Sequence, residues 1–181
     1  MSPRAPGDWA RRRAEMIRVD HAGEFGAVQI YRGQRAVFSR IEGKAKAAAL
    51  IADMEAGEQT HLDTFDAMLR EQNVRPTAMA PLWRLAGFSL GAVTALMGEK
   101  AAHACTAAVE EVIEQHYAAQ AEELGEEDRD LRDTIVRFRE DELGHKDTAL
   151  SEGAREAPGY EFLSAAIRIG CRAAIAISEK V

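Results

Sequence analysis

Six side chains in this 181-residue chain have types and spacing suited to metal chemistry. A lone Glu24 is followed by Glu58-Gln-Thr-His61, and a lone Glu110 by Glu142-Leu-Gly-His145, the same order twice. Glu and His three residues apart leave a helix from one face. Each Glu-x-x-His therefore offers a carboxylate and an imidazole to one point. Two neighbouring cations repel, and bridging carboxylates are what hold such a pair. Four glutamates and two histidines spread over four helices are the ligand set of a di-iron or di-manganese carboxylate site in a four-helix bundle. Imidazole with carboxylate oxygen suits iron or manganese better than thiolate-seeking metals. The chemistry expected of such a pair is that of oxygen or peroxide.

The elements that must carry these residues are helices. Ala, Glu, Arg and Leu are abundant and no alternating strand pattern occurs. The pattern predicts helices near 9–40, 44–72, 81–98, 100–124, 127–153 and 159–180. The expected fold is all-α, a four-helix bundle with two additional apolar or amphipathic helices. Gly43 and Gly125 separate hairpin partners, while Asn73, Pro76 and Pro81 mark a longer connection. Glu126, Glu127 and Asp128 favour a helix start through the macrodipole, and Pro158-Gly159 opens the last helix. A weak internal repeat accompanies the ligands. Tyr31 follows Glu24 by seven residues and Tyr117 follows Glu110 by seven, two turns along, so each Tyr lies on the face of its own Glu. Two helical hairpins would then surround one centre, with 81–98 as the crossover. One domain over 1–181 is expected, with a basic extension over 1–15 that includes Arg11-Arg12-Arg13.

Helical faces select the ligands. Glu24 shares a face with Ile17, His21, Val28 and Tyr31, and Glu58 with Met54, Leu62 and Phe65. Glu110 lies with Thr106, Ile113 and Tyr117, whereas Glu111 lies among Glu114, Gln115 and Ala118, so Glu110 is the inward one. Glu142 shares its face with Phe138 and Ala149. Carboxylates on apolar faces are costly to bury without cations. Ligated histidines usually donate their other N–H to an acceptor, and Asp141 and Asp20 are the candidates.

The net charge of −7, with 29% charged residues, argues against nucleic acid as a partner. Cys105 and Cys171 form no disulfide framework and read as small buried hydrophobes in a reducing compartment. The N-terminal stretch has basic residues but no apolar run of a secretory signal. No GxGxxG nucleotide fingerprint follows a strand.

At several stretches the chain resembles the demethoxyubiquinone hydroxylases of ubiquinone biosynthesis, which are ferritin-like di-iron monooxygenases. They are IRVDHAGEFGAVQIYRGQ (17–34), EQTHL (58–62), RPTAMAPLWRLAGFSLGAVTALMG (75–98), ACTAAVEEVIEQHY (104–117), FREDELGHKD (138–147) and AIRIGCRAAIAISE (166–179). The resemblance covers nearly everything from about residue 16 onward, and ordinary ferritins and rubrerythrins lack the RPTAMAPLW segment. His103, where an apolar residue is expected, is a departure that touches no ligand position. The resemblance places the ligands of two iron ions at Glu24, Glu58, His61, Glu110, Glu142 and His145. It implies hydroxylation of the ring of a polyprenyl quinol with O2 and two electrons, one oxygen atom going to the ring and the other to water. The electrons would come from an external donor such as NADH. His116 and Tyr117 are candidate relays between quinone and metal. Peripheral attachment is implied at the cytoplasmic face of a bacterial inner membrane, or at the matrix face of the mitochondrial one. A homo-oligomer and a lipid-binding accessory protein are candidate partners.

Segment 85–98 has no charge up to Gly98, yet it is too short for a span, which needs about 20 apolar residues. In the tail, Leu163, Ala166, Ile167, Gly170, Cys171, Ala174 and Ile175 form one stripe, as in a core or an interfacial helix. Together these segments suit a greasy access route to the site, and Gly87-x-x-x-Gly91 would let two helices approach closely. Two other functions fit less of the pattern. One is a soluble ferritin- or rubrerythrin-like protein that oxidises iron or reduces peroxide, which has no need of the apolar segments. The other is a non-enzymatic bundle that binds lipid or protein, which has no need of the ligands.

Overall fold

The computed structural model describes residues 6–181; the first five residues of the basic extension lie outside them. Six helices follow one another: α1 (Pro6–Phe38), α2 (Ala45–Glu71), α3 (Ala80–Leu96), α4 (Glu99–Leu124), α5 (Arg129–Ser151) and α6 (Tyr160–Ser178), with a 3-10 turn at Ala154–Glu156 before α6. No strand occurs among the described residues. The connections follow backbone chemistry. Gly43, Asn73, Gly98, Gly125, Gly153 and Gly159 all have positive φ at or near helix ends. The start of α5 falls at Arg129 rather than 127, because the Asp128 carboxylate caps the helix by accepting from the Leu131 N–H. The 3-10 turn was not foreseen; Gly153 turns the chain with φ 89° and leaves only Ala154–Glu156 before Pro158.

α1 pairs with α2, and α4 with α5; the two hairpins meet through α1 against α4 and α2 against α5. Two apolar clusters bracket the mid-level of this bundle. Met16, Ile17, Phe65, Leu124, Leu131 and Ile135 fill one end, and Phe38, Ala47, Ile51, Met54 and Ala102 the other. Along α1, α2 and α4 the expected ligands lie between these clusters. The basic cluster is not a loose extension. Arg12 lies 2.8 Å from Glu123 of α4 and 3.4 Å from Glu179, and Arg13 pairs with Asp128. These contacts tie the first turns of α1 to the far ends of α4 and α6 and to the start of α5.

The crossover α3 packs along the outside of α1, and α6 along the outside of α4. The α1–α3 seam depends on missing side chains. A Cβ at Gly91 would collide with the carbonyl oxygen of Ile30, and one at Gly33 with that of Phe88. Gly87 rests against Gly26 and Gln29, so the Gly87-x-x-x-Gly91 pattern does bring two backbones together. Among the described residues no helix is long and apolar enough to cross a membrane. α3 and α6 nevertheless leave large apolar side chains outside, including Leu85 (66% exposed), Leu96 (71%), Phe162 (82%) and Ile169 (68%).

Candidate metal centre

All six expected ligands converge. Glu24, Glu58 and Glu142 are 0% exposed and Glu110 is 1% exposed, while Glu111 turns outward to Arg168. Their donor atoms form two overlapping groups. Glu24, Glu58, His61 and Glu142 make one; Glu58, Glu110, Glu142 and His145 make the other, each with donors within 4.8 Å of one another. Glu58 and Glu142, the glutamates of the two Glu-x-x-His pairs, belong to both. The lone glutamates and the histidines belong to one group each. Shared carboxylates in the middle and single carboxylates at the ends are the arrangement that two adjacent cations require.

Both histidines turn Nδ1 inward. His61 Nδ1 lies 3.2 Å from Glu142 and 3.7 Å from Glu24 and Glu58. His145 Nδ1 lies 2.7 Å from Glu58 and 3.8 Å from Glu142. The far nitrogen of His61, Nε2, is 3.1 Å from Oδ2 of Asp141, one of the two candidate acceptors. Asp20, the other candidate, supports no ligand; its Oδ1 lies 3.1 Å from His116 Nε2.

The charges are arranged against simple ionisation. Burial pushes Glu24 well up, and the neighbouring Glu58 and Glu142 push it further against the pull of His61. Burial, then Glu142 and Glu58, raise Glu110 well above the usual range. Burial would raise Glu58 too, but His145 and His61 outweigh it and bring its carboxyl down to about 2. Burial would lower both imidazoles; Glu142 and Glu58 instead hold His145 up at about 10, and Glu142, Glu24 and Glu58 raise His61.

The tyrosines are exchanged between the halves. Tyr117 does not serve its own Glu110 but donates to Glu24, and Tyr31 donates to Glu110 at 2.5 Å. Each lone glutamate thus keeps one oxygen for a phenol and one for the centre. Tyr31 was not singled out as a site residue, although its seven-residue spacing was the signal. His116 stands outside the cluster, its ring centroid 6.2 Å from that of Tyr117, near Asp20 and Gln120. His103 is buried and contacts no ligand; burial lowers its pKa.

An apolar slot of about 530 Å³ lies behind the centre, walled by α1, α3, α4 and α6. Its walls include Gly23 and Ala27, which flank Glu24, and Val109 and Ile113, which flank Glu110. Trp83, Cys171 and Ser178 are its few polar side chains, and Trp83 Nε1 donates to Ser178 Oγ at 3.0 Å. The volume suits a small-molecule ligand.

Fold and cluster define the class: a helical bundle around a buried Glu/His cluster that could hold metal. Residues 11–178 match the family described as ubiquinone biosynthesis protein COQ7, and the chain belongs to that family. It is 48% identical over 165 residues to the Rhodospirillum rubrum protein named 3-demethoxyubiquinol 3-hydroxylase, covering 91% of this chain and 76% of that protein. The Homo sapiens protein named NADPH-dependent 3-demethoxyubiquinone 3-hydroxylase, mitochondrial, is 45% identical over 170 residues, covering 92% and 76%. The Saccharomyces cerevisiae protein named 5-demethoxyubiquinone hydroxylase, mitochondrial, is 37% identical over 181 residues, covering 92% and 77%.

Proposed function

We propose that this chain is a monooxygenase that hydroxylates the ring of a polyprenylated demethoxyubiquinol, using two iron ions held by Glu24, Glu58, His61, Glu110, Glu142 and His145. The observation that carries the reading is that the apolar slot and the carboxylate cluster are built on the same stretches of α1 and α4. The names of the relatives favour it over the ferritin-like alternative.

The residues fit a pair of cations. One oxygen each of Glu24 and Glu110, both oxygens of Glu58 and of Glu142, and Nδ1 of His61 and of His145 are buried without a hydrogen bond of proper geometry. Unpartnered carboxylate oxygens and imidazole nitrogens in one place are costly without a counter-charge. Bound there, the iron pair would supply the two-electron activation of O2.

The protein's own groups do the remainder. Glu58 and Glu142 would bridge; Glu24 with His61, and Glu110 with His145, would complete the two ends. Tyr117 and Tyr31 fix the orientation of the end carboxylates through their hydroxyls. Gly23, Gly26, Gly87 and Gly170 leave room beside the centre for a flat ring, and the apolar walls exclude water. His116, partly exposed and held by Asp20 and Gln120, and Tyr117 are the groups suited to passing protons or electrons on the Glu24 side. The exposed apolar side chains of α3 and α6 would seat the slot against a bilayer, where a polyprenyl quinol resides. The electron donor is external, and the names of several mitochondrial relatives specify NADPH rather than NADH.

The test is a single turnover. Iron-loaded, chemically reduced protein is mixed with demethoxyubiquinol in detergent under isotopically labelled O2. One labelled oxygen on the ring is expected. Labelled water with an unlabelled quinone would overturn the reading and favour the ferritin-like one.

A further inference from the structure

The internal repeat pairs Glu24 with Glu110, Glu58 with Glu142, His61 with His145 and Tyr31 with Tyr117. If the halves were equal, the two cation positions would be equal. They are broken apart at one residue. The position before the paired glutamate is Asp141 in one half and Gly57 in the other. Asp141 Oδ2 lies 3.1 Å from His61 Nε2. A Cβ built on Gly57 would lie 3.3 Å from His145 Nε2, so the corresponding place beside the second imidazole is occupied by a residue with no side-chain acceptor. The surroundings repeat this inequality. The His61 ring stacks on Phe138 with centroids 3.9 Å apart, whereas His145 meets only the edge of Tyr31 at 6.3 Å. The His61 side chain is 4% exposed and that of His145 is 18% exposed.

We propose that the two cation positions are inequivalent and that Asp141 makes them so: the position of Glu24 and His61 holds its ion more tightly and fills first. This rests on the cluster holding two cations, as above. The physical reason is general. A carboxylate on the far nitrogen of a ligating imidazole fixes the ring and makes the inward nitrogen a better donor; losing such a partner weakens metal affinity about 10–100-fold. The second position has neither the carboxylate nor the stacked ring, and its histidine is closer to solvent. Asp141 acts through His61 and is a positioning residue.

The experiment titrates Mn(II) into the metal-free full-length chain, following heat and the electron paramagnetic resonance signal of isolated ions. Two steps separated by about 10–100-fold are expected, with an isolated-ion signal at one equivalent that is lost as the second ion couples to the first. Asp141→Asn should weaken the first step by the same factor, leave the second in place and so merge them. Glu140→Gln, which removes a neighbouring exposed charge without touching His61, should change neither. His145→Ala should keep the tight step, and His61→Ala should lose it. Two identical steps in the unaltered chain, or an Asp141→Asn variant that retains a tight first step, would overturn the inequality while leaving the di-metal reading intact. A chain that binds no ion would overturn both.

Discussion

Proton competition gives a quantitative test of the centre. In the metal-free protein the His145 imidazole is held at about 10 and His61 is raised as well, because their inward nitrogens face carboxylates. A histidine must shed that proton before it can ligate. For His145 the proton sits about three pH units above neutrality, so displacing it costs about 4 kcal/mol at pH 7, roughly 10³ in apparent affinity. Two such protons make the combined constant for a pair of ions rise about 100-fold per pH unit between about pH 6 and 8. Glu24 and Glu110, both pushed up, steepen the rise where they too are protonated. The sign for the metal-free fold is opposite. A histidine raised on folding contributes stability that is complete below its unfolded value and lost as pH climbs through about 10. Alkaline conditions should therefore loosen the empty protein and tighten the loaded one. The assay is a competition titration against a chromophoric chelator across that range, with protons counted from the heats in buffers of different ionisation enthalpy. An affinity that does not change with pH, or a release below one proton per pair of ions, would refute the charge arrangement.

Two further outcomes follow from packing and surface. Gly91→Ala drives a methyl into the Ile30 carbonyl and should cost at least about 2 kcal/mol, lowering the melting temperature by about 4–8 °C; Gly144→Ala, with open space around it, should be neutral or slightly stabilising. Replacing exposed Leu85 and Phe162 by Ser should lower partitioning onto phospholipid vesicles at least about tenfold, read by sedimentation, with the melting temperature unchanged.

The residues of the buried cluster were legible because helix geometry is local. A Glu and a His three apart must share a face, and Glu110 rather than Glu111 follows from the apolar company it keeps. Glycines with positive φ placed most helix ends within a few residues. What was not legible is what depends on distance between helices. Seven residues put each tyrosine about 10.5 Å along the axis from its own glutamate. Only the antiparallel setting of α1 against α4 brings it level with the other one. Asp20, a candidate acceptor alongside Asp141, reaches across to α4 and His116 instead. The basic residues of α1 read as part of an extension, since the carboxylates that meet them come from positions more than a hundred residues away.

The glycine seam also decides how the slot can move. With backbone against backbone at Gly33 and Gly91, α3 is a fixed jamb mounted on α1. α6 packs on α4 through Leu163, Ile167 and Cys171 as well as through polar pairs such as Arg168 with Glu111 and Arg172 with Gln115. The hydrogen bond from Trp83 to Ser178 is the latch between the two. A molecule wider than the resting slot would have to part α3 from α6, and this hydrogen bond is the polar tie that stands in its way.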